Sequence, residues 1–421
     1  MVLFGLQPGL QVAPRRVTER SIARMRRIHL AVLAALVMLP ASAASASPVL
    51  VYDGDRAVRE NDPFVPADML PAPPGPAVNA APVARASAAT VRGTLASFLS
   101  SGQLSQGTHD ALVRTYDEAL AVRNRMAPGL RHYELSNAIN VLHGLAARGQ
   151  LTISRLQVLF LQLRRNTEVW GSYATLPTPG ARVRFGASRL LFQYYRGQGL
   201  QFHPLANWGR ASALLNSGYE PNGLSMIYEL LPLASYRGTA LTWEYFFYFG
   251  GGAPPWTSGL SQGTALVALS AAARLRPANP RYASTGLLAL RLFELPAPLG
   301  VRVRSRWGAH YAEYSYAPRL RIINGFIQAL NGLHDLARVT GDPRAQAAFR
   351  LGEVDARRSM PYFDTGRWSR YSNTGVLSSV GYHVLLRDFL SGLCSRIRYY
   401  AYCSKAARFS YYLRLGYPTR R

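Results

Sequence analysis

Acidic residues are scarce in this sequence. Its 421 residues contain 22 Asp and Glu against 48 Lys and Arg, and the formal net charge is +26. Lysine is almost absent, since Lys405 is the only one. Guanidinium groups bind carboxylates and sulfates in a bidentate way, so the charge favours an anionic partner. Base-composition bias in the genome is the alternative explanation.

Some classes of protein are disfavoured by what is missing. No recognisable nucleic-acid-binding module accompanies the positive charge, so we expect no nucleic-acid partner. The eight histidines are scattered, and no His/Cys spacing typical of zinc is present. We therefore expect no metal site and no cofactor.

Cysteine is nearly missing as well. Cys394 and Cys403 are nine positions apart near the C-terminus. In an oxidising compartment such a pair would form one disulfide that closes a small loop. Two free buried thiols are the alternative.

The apolar stretch near the N-terminus, Ile28 to Leu39, is too short to span a bilayer. Arginines precede it and small residues around Ala43 and Ala46 follow it, as in a secretory signal peptide. We therefore interpret residues 1–46 as an upstream segment plus a signal peptide, with Met25 as a candidate start. The protein is expected to be exported, in the cell envelope or secreted, with no membrane anchor after cleavage. A buried core helix is the alternative.

Three further regions are predicted. Residues 47–88 are rich in Pro and Ala and are typical of a linker. Residues 89–255 form an N-terminal helical region in which one or two short strands are expected between 169 and 204, where the hydrophobic pattern alternates. Residues 256–421 form the most regular helical region.

Helical periodicity dominates the chain from residue 89 onward, with Gly or Pro residues between the segments. The segments predicted as helices are Thr90–Leu99, Thr108–Arg125, Tyr133–Arg148, Ser154–Arg165, Gly209–Asn216, Gly223–Leu230, Gln262–Leu275, Arg281–Phe293, Ile323–Val339, Ala345–Met360, Tyr382–Ile397 and Lys405–Leu415. Short connections between such helices are typical of α/α hairpins. We therefore expect a mainly α fold: an α/α toroid, complete or incomplete, of helical hairpins with a few short strands. Function would then lie in the loops at one mouth.

Several segments of the C-terminal half combine polar side chains with glycines and aromatic residues. Each is weak evidence alone, but their order and spacing are specific. Along the chain they are Gln262-Gly263, Glu313-Tyr314, Asn324-Gly325-Phe326, Asp364-Thr365-Gly366 followed by Tyr371, and Tyr382-His383.

In this order the motifs resemble the C-terminal catalytic domain of D-glucuronyl C5-epimerases. The resemblance extends from about Trp256 to the end of the chain, and residues 89–250 are not covered with similar force. It implies a glutamate and a tyrosine as bases on the two faces of a uronic acid, with two further tyrosines assisting. The positions that match are Glu313, Tyr314, Tyr371 and Tyr382, with Gln262, Asn324 and His383 expected to bind substrate.

The chemistry requires such groups. Epimerisation at C5 removes a proton α to a carboxyl group and returns one from the opposite face, so two acid/base groups must flank one carbon. A glutamate serves at neutral pH, whereas a tyrosine needs cationic or hydrogen-bonding neighbours to ionise. Each match also has a structural alternative: a packed tyrosine, a turn at Asp364, a helix cap at Gln262, or loop architecture at Asn324.

The sequence departs from the family at two points. Ser315 stands where a proline usually follows the Glu-Tyr pair. The arginine that the family has shortly after the position of Tyr371 is missing, so the group that neutralises the substrate carboxylate must come from elsewhere. Arg319, Arg367 and Arg370 are the candidates.

Three functions therefore compete. The first is a polysaccharide uronate C5-epimerase that converts D-glucuronate to L-iduronate-type residues in an acidic polysaccharide. The second is a polysaccharide lyase or glycosidase on the same scaffold; a glycosidase would need two carboxylates, and near the loops only Glu313 and Asp364 are obvious. The third is a non-catalytic glycan-binding protein. The oligomeric state is left open, with a homodimer as one alternative.

Overall fold

The computed structural model describes residues 46–66 and 90–417. The predicted signal peptide lies outside the described residues apart from its last position, Ala46. The second part of the predicted linker lies outside them as well. In the described residues, no helix is both long and apolar enough to cross a membrane.

The first part of the predicted linker is a β-hairpin, so the linker prediction is wrong for these residues. Strand β1 (Ala46–Asp53) pairs antiparallel with β2 (Arg56–Pro66). Residues 49–52 of β1 are a run of β-branched, aliphatic and aromatic residues, which favours a strand, and all four are buried. The Pro- and Ala-rich composition around this run concealed it.

Four helices follow, as the periodicity predicts. Helix α4 continues past its predicted end at Arg165, because Val169 and Trp170 extend its apolar face and are fully buried. Thr90 and Ser105 cap the first two helices by accepting from backbone amides. The helices are α1 (Val91–Ser100), α2 (Gln106–Arg125), α3 (Leu130–Ala147) and α4 (Ile153–Ser172).

A five-stranded sheet with the order β2-β1-β3-β4-β5 comes next. Strands β1 and β3 are parallel and the other neighbours are antiparallel. One face of the sheet packs on α3 and α4 and includes Val183, Tyr194 and Phe202. The new strands are β3 (Arg182–Phe185), β4 (Phe192–Tyr195) and β5 (Gly199–Phe202).

The rest of the chain alternates helices with two small antiparallel ribbons. Helix α5 begins at Pro204, earlier than predicted, because the His203 ring caps it by accepting from the amide of Ala206 at 3.1 Å. A proline in the first turn also favours a helix start there. The elements are α5 (Pro204–Asn216), α6 (Glu220–Leu230), a 3₁₀ turn (Leu231–Leu233), β6 (Ser235–Arg237), β7 (Ala240–Thr242), α7 (Gly259–Leu275), α8 (Arg281–Glu294), β8 (Arg302–Arg304), β9 (Ala309–Tyr311), α9 (Ile323–Thr340), α10 (Pro343–Phe363), α11 (Val380–Ile397) and α12 (Tyr400–Leu415).

These helices form an arc of hairpins. The inner helices α5, α7, α9 and α11 pack side by side, and α6, α8, α10 and α12 each lie outside against the helix that precedes them. The predicted α/α toroid of hairpins is thereby confirmed in an incomplete form. Since each outer helix returns the chain, the inner helices run in the same direction and their N-termini meet at one end, which we call the mouth.

The two central inner helices approach each other closely. A Cβ on Gly332 of α9 would lie 2.1 Å from the carbonyl oxygen of Gly263 of α7. Helix α7 is buried along almost its whole length. A Cβ on Gly263 itself would lie 2.5 Å from the Cα of Ala329, so the motif glycine after Gln262 is required by helix packing.

The two cysteines are joined. A Cys394–Cys403 disulfide, with Cα atoms 4.9 Å apart, links the end of α11 to the first turn of α12. The disulfide expected from the sequence is therefore confirmed, and it closes the last hairpin of the arc.

Candidate active site

Titratable side chains gather at the mouth of the arc, on the loops that precede the inner helices. We use the name tyrosine cluster for the side chains around Glu313. Its members lie close enough to interact electrostatically with one another. The hydrophobic cluster beneath them includes Trp256 and Phe247. The members are Tyr195, Tyr245, Glu313, Tyr314, Tyr371 and Tyr382.

Glu313 lies at the centre of this cluster. It follows β9, it is 3% exposed, and its Oε2 has no hydrogen-bond partner among the described residues. Burial raises the pKa of its carboxyl group to about 7, and a hydrogen bond from the Tyr314 hydroxyl acts in the opposite direction. Glu313 therefore exchanges a proton near neutral pH, as a general base should.

Gly325, in the motif Asn324-Gly325, has no side chain, and this leaves room for the Glu313 carboxylate. A Cβ on Gly325 would lie 2.5 Å from Glu313 Oε2, so no larger residue fits while the carboxylate stays in place. Asn324 is buried, its Oδ1 accepts from the Gly325 amide at 2.8 Å, and its Nδ2 has no partner within the described chain. The spacing from Glu313 to Gly325 thus has a steric reason, and the role of Asn324 in substrate binding stays a prediction.

The structure also brings the three predicted tyrosines to Glu313. The rings of Tyr371 and Tyr382 have centroids 4.8 Å apart. Burial raises the pKa of Tyr371 strongly, the negative charge of Glu313 adds to this, and its hydroxyl interacts with those of Tyr314 and Tyr382. Burial and then Glu313 raise the pKa of Tyr314 as well. Tyr314 and Tyr371 are therefore neutral phenols, and Glu313 is the group that ionises.

Backbone pairing between two loops holds Tyr371 against the start of α9. The Ile323 amide donates to the Tyr371 carbonyl at 3.2 Å. Asn373 and Arg321 are joined twice, by the Arg321 amide to Asn373 Oδ1 at 2.9 Å and by the Asn373 amide to the Arg321 carbonyl at 3.0 Å. The loop before α11 is therefore fixed on the loop that follows Glu313.

Two residues expected to bind substrate serve the fold instead. Gln262 donates to the carbonyls of Leu241 and Ala289 and accepts from Thr242. His383 is paired with the Ser369 hydroxyl at 2.7 Å and the Phe409 carbonyl at 3.1 Å. Both amide atoms of Gln262 and both ring nitrogens of His383 are used, so these two predictions are corrected.

The three candidate arginines do not gather around Glu313 as a group. Arg319 and Arg367 are exposed. Arg370 donates to the carbonyl of Tyr362 and lies over the ring of Tyr362, with 4.6 Å from its guanidinium carbon to the ring centroid. Arg370 is thus engaged at the surface, and the group for the substrate carboxylate must be sought elsewhere.

Sequence reasoning missed two members of the tyrosine cluster. Tyr195 ends β4 and stacks on Phe247 with centroids 4.3 Å apart. Tyr245 stacks on Trp256 at 4.1 Å, and after burial the charge of Glu313 also raises its pKa. Tyr195 lies in the segment expected to form strands, but neither tyrosine belongs to a motif that marks a site.

Comparison with known families confirms the resemblance seen in the motifs. Residues 237–409 match the family model of the D-glucuronyl C5-epimerase C-terminus, a range that begins before the predicted boundary at 256.

A curated relative is an uncharacterized protein of Methanocaldococcus jannaschii. It is 27% identical over 156 residues, which are 35% of this chain and 50% of that protein. The chain thus spans about half the length of the curated relative that it matches.

Two solved structures are also similar at 12% sequence identity. Cellobiose 2-epimerase from Bacillus thermoamylovorans B4167 has a TM-score of 0.39 over 64% of this chain and 74% of that one. A D-mannose isomerase has a TM-score of 0.34 over 73% of this chain and 86% of that one.

Within residues 46–66 and 90–417, no group of three or more His, Cys, Asp or Glu side chains is placed to hold a metal ion.

Proposed function

We propose that the protein is a polysaccharide uronate C5-epimerase that converts D-glucuronate to L-iduronate-type residues in an acidic polymer. The observation that supports this most directly is a buried carboxylate, Glu313, surrounded by neutral phenols. A base that is ionised near neutral pH and an acid that is protonated there are the two groups that proton removal and return require.

In the proposed reaction Glu313 takes the C5 proton. The electron pair of the C–H bond moves toward the substrate carboxyl group and forms an enediolate-like intermediate. Tyr382 then gives its phenolic proton to C5 from the opposite face, which inverts the configuration. Tyr314 and Tyr371 hold the two groups by hydrogen bonds.

One turnover leaves Glu313 protonated and Tyr382 as a phenolate. Because a phenol is a much weaker acid than a carboxyl group, this pair of states is unfavourable and must return to the resting one. The contacts from Glu313 through Tyr314 and Tyr371 to Tyr382 give a route for that proton.

The choice of an acidic polymer rests on charge. The protein has a net charge of +26. The partial positive charge of the inner-helix N-termini at the mouth also favours an anion there. Since the N-terminal sequence predicts export, we further propose that the polymer lies outside the cytoplasmic membrane.

A glycosidase is the weaker alternative because its second carboxylate is already engaged. Asp364 Oδ2 pairs with Lys405 Nζ at 2.6 Å, and Oδ1 accepts from the Tyr412 hydroxyl and the Gly366 amide at 2.9 Å each. Asp364 therefore joins α10 to α12. A lyase would use the same C5 proton abstraction and would then expel the C4 substituent, so the product decides between them.

The test is incubation with candidate uronate polymers in deuterated water. An epimerase incorporates deuterium at C5 and leaves the chain length unchanged, which NMR and size-exclusion chromatography measure. An ultraviolet-absorbing unsaturated end would identify a lyase, and new reducing ends without C5 exchange would identify a glycosidase. Absence of exchange with every uronate polymer would favour the glycan-binding protein.

A further inference from the structure

The reaction needs a donor or cation at the substrate carboxylate, because charge accumulates there when the C5 proton leaves. The family's arginine after the position of Tyr371 is missing in this sequence, and Arg319, Arg367 and Arg370 do not gather at Glu313. A different element must therefore provide this group.

The sheet presents a row of polar residues on the face opposite α3 and α4. Arg182 of β3 lies directly opposite Gln193 of β4, and Gln193 lies opposite Gln201 of β5. The side chains of directly paired residues point to the same face of a sheet, and so do those of residues two apart on one strand. Tyr195, two residues after Gln193, therefore lies on this face as well. We call Arg182, Gln193, Tyr195 and Gln201 the polar row.

The polar row is buried. Arg182 and Gln193 are each 4% exposed and Gln201 is fully buried. Across the described residues, no hydrogen-bond partner reaches Gln193 Oε1, Gln201 Oε1 or the Tyr195 hydroxyl. Since nearly all buried polar atoms in proteins are hydrogen-bonded, these three atoms are positions at which a polar ligand would find unused hydrogen-bonding capacity.

His203 adds a donor next to this row. Its Nδ1 accepts from the Ala206 amide, so in the neutral ring Nε2 bears the proton. That Nε2 is buried and has no partner in the described part of the chain. Burial, with a smaller effect of the nearby Arg182 charge, lowers the pKa of His203 to about 3, so the ring is a neutral donor.

The polar row adjoins the tyrosine cluster. Tyr195 stacks on Phe247 at 4.3 Å, and the ring of His203 lies 5.6 Å from that of Tyr245. Tyr382 and Arg182 both act on the pKa of Tyr195, which burial raises first. Tyr195 is therefore the point where the sheet meets the side chains around Glu313.

We propose that the polar row and His203 form the carboxylate-binding half of the site. Arg182, the Tyr195 hydroxyl and His203 Nε2 donate to the carboxylate of the uronate that reacts, and the Gln193 and Gln201 carbonyl oxygens accept from sugar hydroxyls. This inference rests on the proposed uronate substrate. It assigns the role of the missing arginine to Arg182, which lies outside the residues that match the family.

The strand provides a matched control. Arg184 lies two residues from Arg182 on the same face of β3 and outside the polar row. Its guanidinium pairs with Glu60 at 2.7 Å and donates to the Gly186 carbonyl at 2.9 Å. Arg184→Gln and Arg182→Gln remove the same charge from the same strand. Only the second removes a group from the polar row.

The experiment measures binding by calorimetry in full-length protein that bears Glu313→Gln, so that the ligand does not react. The two ligands are an unsulfated glucuronate-containing oligosaccharide and the same oligosaccharide with its carboxyl groups reduced to alcohols. Arg182→Gln should weaken binding of the first about 10- to 100-fold, to the level of the second. Arg184→Gln should leave both affinities unchanged.

A second variant guards against misfolding. Arg182→Lys keeps the charge in the fold but not the bidentate geometry, so it should fold with an unchanged thermal midpoint and lose about 5- to 10-fold in affinity for the carboxylate ligand only. A folded Arg182→Lys that binds both ligands like the parent protein would overturn the assignment. So would equal losses for both ligands.

Failure of this inference and of the proposed function are distinguishable. C5 exchange by the wild-type protein, together with Arg182 variants that bind normally, would remove the inference alone. Carboxylate binding that depends on Arg182, without C5 exchange, would remove the epimerase assignment and leave a carboxylate-binding site.

Discussion

Two buried carboxylates near the loops of the helical arc have opposite environments. Glu313 and the Asp364 side chain are each 3% exposed. Asp364 is surrounded by Lys405, Arg408 and Tyr412, and hydrogen bonds and charge hold its pKa below the usual range against the effect of burial. Glu313 has tyrosines around it, and burial raises its pKa to about 7.

The difference separates an acid that is held ionised by its partners from one that can change its protonation state near neutral pH. A paired carboxylate stays ionised and joins helices, whereas a desolvated carboxylate among phenols can take up and release a proton near neutral pH. Burial raises the pKa of both carboxyl groups, and the partners within hydrogen-bond reach outweigh that effect for Asp364 only.

The largest expected effect is that of Glu313→Gln. The amide cannot accept the C5 proton, so turnover should fall by about 10²-fold or more, measured as deuterium exchange at C5. Stability should not fall, because a neutral amide replaces a desolvated acid. A fully active Glu313→Gln would show that the base is another group.

Asp364→Asn is the control variant that matches Glu313→Gln. It breaks the pairing with Lys405 and Tyr412, so the free energy of unfolding should fall by about 1–3 kcal/mol while C5 exchange stays near that of the wild type. Urea unfolding measures the first quantity. If Asp364→Asn abolished exchange in a folded protein, Asp364 would belong to the reaction and the glycosidase alternative would return.

Tyr382→Phe should have a comparable effect on turnover. It removes the proton donor of the second face, and a loss of about 10²-fold in epimerisation is expected. Exchange of the C5 proton on the Glu313 face should persist without inversion, which NMR of the product distinguishes. Tyr411→Phe, at an exposed tyrosine of α12, is the control. Normal inversion by Tyr382→Phe would contradict the two-base assignment.

A smaller loss is expected for Gly325→Ala. The new methyl group would lie 2.5 Å from Glu313 Oε2 and would displace the carboxylate, so turnover should fall about tenfold or more. Gly107→Ala in α2, where a Cβ meets nothing within 4 Å, should have no such effect. Unchanged turnover in Gly325→Ala would mean that the position of the Glu313 carboxylate is not critical.

The weakest signal is the pH dependence of stability. Because the pKa of Glu313 is raised in the folded state, the proton on Glu313 stabilises the folded protein relative to the unfolded one. This contribution to stability is complete below the ordinary pKa of 4.5 and is lost as pH rises toward about 7. The free energy of unfolding of the wild type, relative to Glu313→Gln, should therefore fall by about 1 kcal/mol per pH unit in that range. Asp364 acts oppositely and loses its contribution as pH falls. A flat difference would contradict the raised pKa of Glu313.

The sequence predicted the helical arc well. Helical periodicity depends on nearby residues. The motif order singled out Glu313, Tyr314, Tyr371 and Tyr382, which the structure brings together, and their roles stay predictions. The hairpin β1–β2 was missed because its strand residues are embedded in Pro- and Ala-rich sequence.

The sheet side of the site was missed for a different reason. Tyr195 and Arg182 reach the mouth only because β3, β4 and β5 pair in one register and place them on one face. No local sequence pattern predicts how these strands pair. Gln262 and His383 were assigned to substrate because a motif does not reveal whether its side chains are already hydrogen-bonded within the fold.

The most direct test of the contrast between Glu313 and Asp364 is loss of deuterium from a polymer of C5-deuterated glucuronate, followed by NMR. Wild type, Glu313→Gln and Asp364→Asn would be compared side by side at neutral pH. We predict that the wild type and Asp364→Asn release deuterium at similar rates and that Glu313→Gln releases it at least about 10²-fold more slowly. Release by Glu313→Gln at the wild-type rate would contradict the account.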